Sequence, residues 1–335
     1  MDLRIGVIGT GAIGRDHIQR INGITSGAKV SAISDINSEA GKVLASEIGA
    51  TFFAEGEDLI ASDIVDAVLV TSWDPTHEKY VLEAIKHNKY VFCEKPLAVE
   101  IDGCRRIVDA EIKAGKKLVQ VGFMRRYDRG YEELKAMVDS KELGEVLMLH
   151  CAHRNPSVDE SYDTPMAVEN TAVHEIDVLR WLLQEDYVSA EVKLPKQTSY
   201  THENLHDPQF IILETESGIQ IDIEVFVNCQ FGYDIKCAVV CEKGEVALSD
   251  PSYTTLKTKG KDSTKVSSDW KDRFVTAYDR EFQLWVDSVR AENITGPSAW
   301  DGYVASVTTT ACSKARDTGT KVEITLEACP DFYKK

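Results

Sequence analysis

The strongest constraint on the fold lies at the start of the chain. Leu3 to Ile8 alternate into a short buried strand, and Gly9-Thr10-Gly11-Ala12-Ile13-Gly14 follows at once. A helical pattern runs from Ile13 to Ile24, and the next strand, Ala28 to Ile33, ends in Ser34-Asp35. Three glycines so spaced between a strand and a helix, with an acid about 20 residues on, make a dinucleotide-binding turn. Gly9 permits the tight turn, Gly11 lets the backbone approach a pyrophosphate, and Gly14 lets the helix pack on its strand. The helix start at Ala12 and Ile13 offers N–H groups to phosphate. Asp35 accepts hydrogen bonds from an adenosine ribose and would repel a 2′-phosphate, so NAD is expected over NADP. Ile36 beside it joins the expected cofactor contacts.

Strands and helices go on alternating. A helix is expected over Ser38 to Ile48, a short strand over Thr51 to Phe53 and a helical turn at Asp58-Leu59-Ile60. The apolar strand Ala67-Val68-Leu69-Val70 ends in Thr71-Ser72-Trp73-Asp74-Pro75-Thr76-His77, where Pro75 breaks the strand and a helix begins. Thr71, Ser72, Trp73 and His77 therefore belong to the expected cofactor edge. The strand Tyr90 to Cys93 ends in Glu94-Lys95-Pro96, a helix runs from Ile101 to Ala114, and a strand covers Leu118 to Gly122. Strands separated by helices of about 10 to 15 residues make a doubly wound parallel sheet. An α/β Rossmann domain is thus expected over residues 1–122.

Residues 123–335 change character. A helix over Arg129 to Ser140 leads into alternating strands: Gly144 to His153, Tyr187 to Leu194, Gln209 to Thr215, Gly218 to Asn228, Tyr233 to Cys241 and Gly244 to Leu248. Such alternation suits an antiparallel sheet with one buried face. Residues 257–272, rich in Lys, Thr, Ser and Asp, read as a solvated loop. Helices over Arg273 to Ala291 and Pro297 to Thr318 close an α+β domain with a large, mostly antiparallel open sheet. Its strands need cover on both faces and its helices suit one, so an oligomer, a tetramer first, is expected.

A net charge of −17 with no basic run argues against nucleic acid and anionic membrane surfaces. No apolar stretch approaches the roughly 18 residues that span a bilayer, and the N-terminus reads directly as a strand. The eight cysteines include no Cys-x-x-Cys and lie mostly in apolar runs. They read as reduced thiols of a cytoplasmic protein, and no metal site is expected.

Five clusters carry chemistry. Glu94 and Lys95 sit at a strand's C-terminal tip, the edge where ligands bind in such sheets. Arg125-Arg126 sit at the next tip; one faces the ligand and the other pairs on the surface. Asn170, His174, Asp177 and Trp181, at i, i+4, i+7 and i+11, form a polar stripe on one helix. That stripe is either a site or a structural histidine held by Asp177. His153 and Asn155 end a strand before a polar loop. Tyr233 either offers its hydroxyl to a ligand or packs in its strand.

Gly9 to Gly14, Glu94-Lys95-Pro96 and His174-Glu175-Ile176-Asp177 together resemble the Gfo/Idh/MocA oxidoreductases over nearly the whole chain. The resemblance implies NAD-dependent oxidation of a ring hydroxyl to a ketone and a homotetramer. It carries Lys95, His174, Arg125, His153, Asn155, Asp177 and Tyr233 over as active-site positions. A cyclic polyol is the expected substrate, myo-inositol first, with another inositol isomer or glucose as alternatives. His174 is expected to act as general base and Lys95 to stabilise the reacting oxygen. One position departs: the family pattern resembles Asp-x-x-x-His, and here the first residue is Asn170. An amide can hold an imidazole but stabilises its cation less than a carboxylate does. The expected alternative is therefore an NAD- and sugar-binding protein with impaired turnover.

Overall fold

The computed structural model describes residues 1–250, 252 and 254–334. The chain divides into two compact units: Met1–Phe123 with Tyr278–Ser306 and Glu327–Lys335, and Met124–Ala277 with Val307–Leu326.

In the first unit the strands are β1 (Leu3–Ile8), β2 (Ala28–Ser34), β3 (Thr51–Phe53), β4 (Ala67–Val70), β5 (Tyr90–Glu94) and β6 (Val119–Gly122). They form one sheet in the order β3-β2-β1-β4-β5-β6, parallel throughout. The order reverses between β1 and β4, which makes their C-terminal edge the binding crevice of a doubly wound sheet. The connecting helices are α1 (Ala12–Gly23), α2 (Ser38–Ile48), α3 (Gly56–Ala61), α4 (His77–Lys86) and α5 (Ile101–Ala114). Their ends follow the sequence. The Asn37 side chain accepts from Ala40 N–H at the start of α2, and Gly49 ends it in the left-handed region. Every residue of β4, β5 and β6 is buried, as their continuous apolar sequences require.

Beside Met1–Phe123, the first unit also includes Tyr278–Ser306 and the C-terminal segment. The reason is an aromatic stripe. In α8 (Trp270–Arg290), Tyr278, Phe282, Trp285 and Val289 are all buried, at i, i+4, i+7 and i+11. Phe282 stacks on Phe92 of β5 with ring centroids 4.6 Å apart, and Trp285 meets Phe92 edge-on at 5.4 Å.

The second unit contains α6 (Arg129–Ser140), α7 (Val173–Leu183) and a seven-stranded sheet. Its strands are β7 (Val146–Arg154), β8 (Tyr187–Lys193), β9 (Gln209–Thr215), β10 (Gln220–Phe226), β11 (Asp234–Cys241), β12 (Gly244–Ala247) and β15 (Val322–Glu323). The order is β12-β11-β7-β10-β9-β8-β15; β7 and β10 pair in parallel and the other neighbours antiparallel. Burial alternates along β9, β10 and β11, so one face is core and the other is half exposed.

Three expectations change. Residues 257–272 are not wholly loop: β13 (Thr255–Thr258) and β14 (Lys261–Thr264) form an exposed hairpin. Lys259 and Gly260 both have positive φ, which a two-residue turn of this hand requires. The helix expected from Asn170 begins earlier, as a π-helical turn over Ala167–Ala172 that runs into α7. The helix α9 (Ala299–Thr318) starts two residues later than its sequence signal.

Replacing Phe282 with Ala removes a fully buried ring from the aromatic cluster. The expected outcome is a loss of about 3–5 kcal/mol, read as a lower urea midpoint for the transition that includes the first unit.

Candidate active site

The glycine turn of the first unit is built as a cradle. Gly9 has φ +93°, and a Cβ there would lie 2.5 Å from Ser72 Cα. A Cβ on Gly14 would lie 2.2 Å from the Gly9 carbonyl oxygen, whereas one on Gly11 meets nothing within 4 Å. Packing therefore demands glycine at 9 and 14, while the space over Gly11 stays open for a ligand. No side chain caps the start of α1, so its first N–H groups suit a pyrophosphate.

Asp35 anchors this loop. Its Oδ2 accepts from both the N–H and the hydroxyl of Thr10 at 2.6 Å, and its Oδ1 accepts from Asn37 N–H at 2.8 Å. Burial works to raise the carboxyl pKa, but these hydrogen bonds outweigh it and hold Asp35 below the usual value. Ile36 is fully exposed next to it, and Trp73 is 76% exposed at the tip of β4. Two large apolar side chains so placed suit the flat rings of a dinucleotide.

Two residues expected at the cofactor edge turn inward instead. The Thr71 hydroxyl donates to the Gly9 carbonyl at 2.7 Å. His77 is buried, with Nδ1 2.7 Å from Pro96 O and Nε2 3.0 Å from Ser72 O. A neutral imidazole donates to one of these at a time, so His77 ties together the loops after β4 and β5. The Ser72 hydroxyl pairs with Thr76 at 2.7 Å.

Glu94 is buried at the tip of β5. Its Oε1 lies 2.8 Å from His17 Nε2, and its Oε2 accepts from Lys95 N–H at 3.2 Å. Arg20 Nη1 sits 3.0 Å from His17 Nδ1 and has only protons to give, so Nδ1 accepts and Nε2–H donates to Glu94. Asp16 and Asp279 hold Arg20 at 2.8 and 2.7 Å. Gly122 leaves room for the carboxylate, since a Cβ there would lie 3.0 Å from it. Lys95 is half-buried. Burial lowers its pKa, against the opposing pull of Glu94 and Asp74.

The second unit carries the other candidates. Arg125, in a 3-10 turn over Met124–Tyr127, is buried, and its Nη1 donates to Glu175 Oε1 of α7. His153 Nδ1 lies 2.9 Å from Glu175 Oε2 and 3.0 Å from Arg125 Nη2. The Tyr233 hydroxyl lies 3.3 Å from His153 Nε2, and the His174 ring centre is 6.4 Å from that of His153. Burial pushes the Tyr233 phenol up to about 12 despite the opposing charge of Arg125. Asn155, just past β7, has a buried Oδ1 that accepts no hydrogen bond among the described residues. A ligand hydroxyl would satisfy it.

Arg125 and Asp177 each have a protein partner that the sequence did not show. Arg125 was to read a hydroxyl; its Nη1 donates to Glu175, as a buried guanidinium needs a carboxylate, while its buried Nε has no hydrogen-bond partner among the described residues. Asp177 was to share a polar stripe with His174, yet it is buried and accepts from Arg126 Nε and Nη2 at 2.9 and 2.5 Å. Neither arginine is a surface pair. The π-helical turn also breaks the even 3.6-residue spacing that placed Asn170 on that stripe. His17 and Glu175 were missed. Both stand on apolar helix faces: His17 with Gly14, Ile18 and Ile21, and Glu175 with Val178, Leu179 and Leu182. A titratable residue at such a position is the signal that would have found them.

The family model for an oxidoreductase family with an NAD-binding Rossmann fold matches residues 3–123, and the model for its C-terminal alpha/beta domain matches residues 135–324. The chain belongs to the Gfo/Idh/MocA oxidoreductase family. The family's NAD-binding fold is the sheet and glycine cradle described above. An inositol 2-dehydrogenase of Klebsiella pneumoniae (strain 342) is 55% identical over 337 residues, covering 100% of both chains. One of Pseudomonas syringae pv. syringae (strain B728a) is 56% identical, covering 99% of this chain and 100% of its own. The crystal structure of myo-inositol dehydrogenase from Lactobacillus casei, in complex with NAD(H) and myo-inositol, is 39% identical with a TM-score of 0.98 over 100% of both chains.

Replacing Arg125 with Met strands the buried Glu175 carboxylate. The expected cost is about 3–5 kcal/mol at neutral pH, measured by urea unfolding. In the parent, burial would raise the Glu175 pKa, but Arg125 and His153 hold it below the ordinary 4.5. Its contribution is therefore full above 4.5 and is lost as pH falls through the lower folded value. In Arg125→Met burial dominates and the folded pKa rises, so the deficit should shrink as pH falls from neutral to about 5.

Proposed function

We propose that this protein is an NAD-dependent inositol 2-dehydrogenase, oxidising myo-inositol to 2-keto-myo-inositol. The observation that carries this reading is the charge balance of the second unit. Its buried charges are met by one another, Arg125 with Glu175 and Arg126 with Asp177. Beside these pairs stand side chains that give or accept hydrogen bonds: His153, Asn155, His174 and Tyr233. A neutral polyol needs many hydrogen bonds and no counter-ion, and such a set favours it over a carboxylate or phosphate substrate. The relatives named above support the same choice.

The first unit would hold NAD through the Gly9–Gly14 turn, Asp35, Ile36, Ser72 and Trp73, with Thr71, His77 and Glu94 shaping the loops behind. NAD supplies the acceptor for the hydride leaving the ring carbon. The Asp35 carboxylate, kept ionised by Thr10 and Asn37, selects against a 2′-phosphate. Lys95 hydrogen-bonds the reacting oxygen and stabilises its developing negative charge. Its lowered pKa eases the return of a proton. His174 is the base that takes the hydroxyl proton, and His153, Asn155 and Tyr233 read the remaining hydroxyls. The substrate half and an oligomerisation surface belong to the second unit.

A homotetramer is the proposed assembly. Phe210, Ile212, Phe226 and Val240 lie half-exposed on the sheet face opposite the core, and burying such a face against another copy removes apolar area from water. The eight cysteines are free thiols, consistent with a cytoplasmic role in inositol catabolism. Among the described residues no helix is long and apolar enough to cross a membrane. Asn170 favours a second reading, an NAD- and sugar-binding protein with weak turnover.

The deciding measurement is NADH appearance with myo-inositol, compared with other inositol isomers and glucose; absence of turnover on all of them would leave the binding reading. Lys95→Ala should lower kcat by about 10²–10³ or more while NADH still binds in a fluorescence titration. Loss of NADH affinity with chemistry intact would reassign Lys95 to the cofactor. Sedimentation should give a species larger than a monomer at micromolar concentration.

A further inference from the structure

A buried histidine stands behind the lysine proposed as donor, and the chemistry above does not use it. His17 lies on α1, one turn past Gly14 of the glycine cradle. It is fully buried, with its ring centre 4.4 Å from that of Phe282 and 5.6 Å from that of Tyr278 on α8, and 6.2 Å from that of Phe92 on β5. An aliphatic side chain would fill such a space at less cost, because an imidazole taken out of water needs partners for both nitrogens. His17 has them. Arg20 Nη1 donates to Nδ1 at 3.0 Å, so Nε2 carries the proton and gives it to Glu94 Oε1 at 2.8 Å. Asp16 and Asp279 fix Arg20 in turn, at 2.8 and 2.7 Å. The series runs from two carboxylates through a guanidinium and an imidazole to the tip of β5.

We propose that His17 is a positioning residue for the oxidation: it holds the Glu94 carboxylate in one orientation, and Glu94 holds Lys95 in place for the reacting oxygen. This rests on the role given to Lys95 above. Glu94 Oε2 accepts from the Lys95 N–H at 3.2 Å, so the carboxylate is bonded at both oxygens. Its space exists because the residue paired with it on β6 is Gly122, where a Cβ would lie 3.0 Å from the carboxylate. Orientation matters here because Glu94 and Asp74 are the charges that act on the Lys95 amine, both opposing the lowering of its pKa by burial. The groups that face His17 are Arg20 on its own helix, Glu94 from β5 and Tyr278 from α8. The start of α1 is also the end that suits the NAD pyrophosphate. One helix thus sets the cofactor at its first turn and, through His17, the lysine at the tip of β5. A shift of about 1 Å between such groups can cost on the order of 10² in rate.

The test compares His17→Leu, His17→Gln and Glu94→Gln. Leucine fills the space and gives Glu94 no proton, whereas glutamine again offers an N–H to it. His17→Leu should lower kcat by on the order of 10² while NADH affinity changes less than about threefold, and His17→Gln should restore most of the loss. In Glu94→Gln the further change His17→Leu should cost less than about threefold, because the link is already broken. If leucine prevents folding, His17→Asn replaces it, since that amide is one bond too short to reach Glu94. A second readout needs no substrate: the pH dependence of Lys95 acetylation by acetic anhydride, followed by mass spectrometry. A buried carboxylate that loses its donor takes up a proton more readily, and its pull on Lys95 then weakens. The Lys95 midpoint should therefore fall in His17→Leu and return in His17→Gln. An unmoved midpoint, an unchanged kcat in His17→Leu, or equal losses with and without Glu94→Gln would each overturn the proposal and leave His17 a packing residue. If Lys95→Ala keeps its turnover, the role of Lys95 fails instead, and the acetylation midpoints still decide whether His17 governs it.

Discussion

The second unit is organised by the ion pair of Arg125 and Glu175, both buried. Removing two charges from water costs several kcal/mol each, and only close pairing with further hydrogen bonds offsets it. Glu175 meets that demand with Arg125 on one oxygen and His153 on the other. The pair therefore joins the 3-10 turn of Met124–Tyr127, the helix α7 and the end of β7. Phe274 lies against the guanidinium, 5.3 Å from ring centre to Cζ. His153 owes its orientation to this arrangement, and Tyr233 is held in turn by His153 and by its backbone pairing with Ser267.

The first unit solves the same problem with different groups. Glu94 is a buried carboxylate at a strand tip, and its compensation is neutral: His17 Nε2–H and the Lys95 N–H. Arg20 stands one residue further back and fixes the imidazole rather than the carboxylate. The difference has a chemical consequence. A full cation on Glu94 would quench its pull on the Lys95 ammonium. An imidazole leaves that charge in place, where it partly opposes the lowering of the Lys95 pKa by burial.

The sequence made the first unit legible because its signals are local. Gly9, Gly14 and Asp35 are demanded within one βαβ segment, and the apolar runs of β4 and β5 have only one place to go. Long-range facts were less visible. The return of α8 to the first unit depends on Tyr278, Phe282 and Trp285 finding Phe92, nearly 200 residues earlier, and no spacing rule reports that. The hairpin around Lys259-Gly260 hid in polar composition, which conceals strands with no buried face. The pairing of Asp177 with Arg126 was not visible, because a stripe of polar residues looks alike whether its partner is a ligand or an arginine. His17 and Glu175 were overlooked because an isolated polar residue on an apolar face was read with its neighbours rather than against them.

Asp177 lies one turn beyond His174, and both its oxygens accept from Arg126. Moving it toward His174 would leave a half-buried guanidinium without its carboxylate, a cost of several kcal/mol. Glu175 follows His174 directly, which turns it toward His153 on a different face of the helix. Glu175 and Asp177, the anions next to His174 in sequence, are thus each tied to an arginine, which fixes the faces of α7 that carry them.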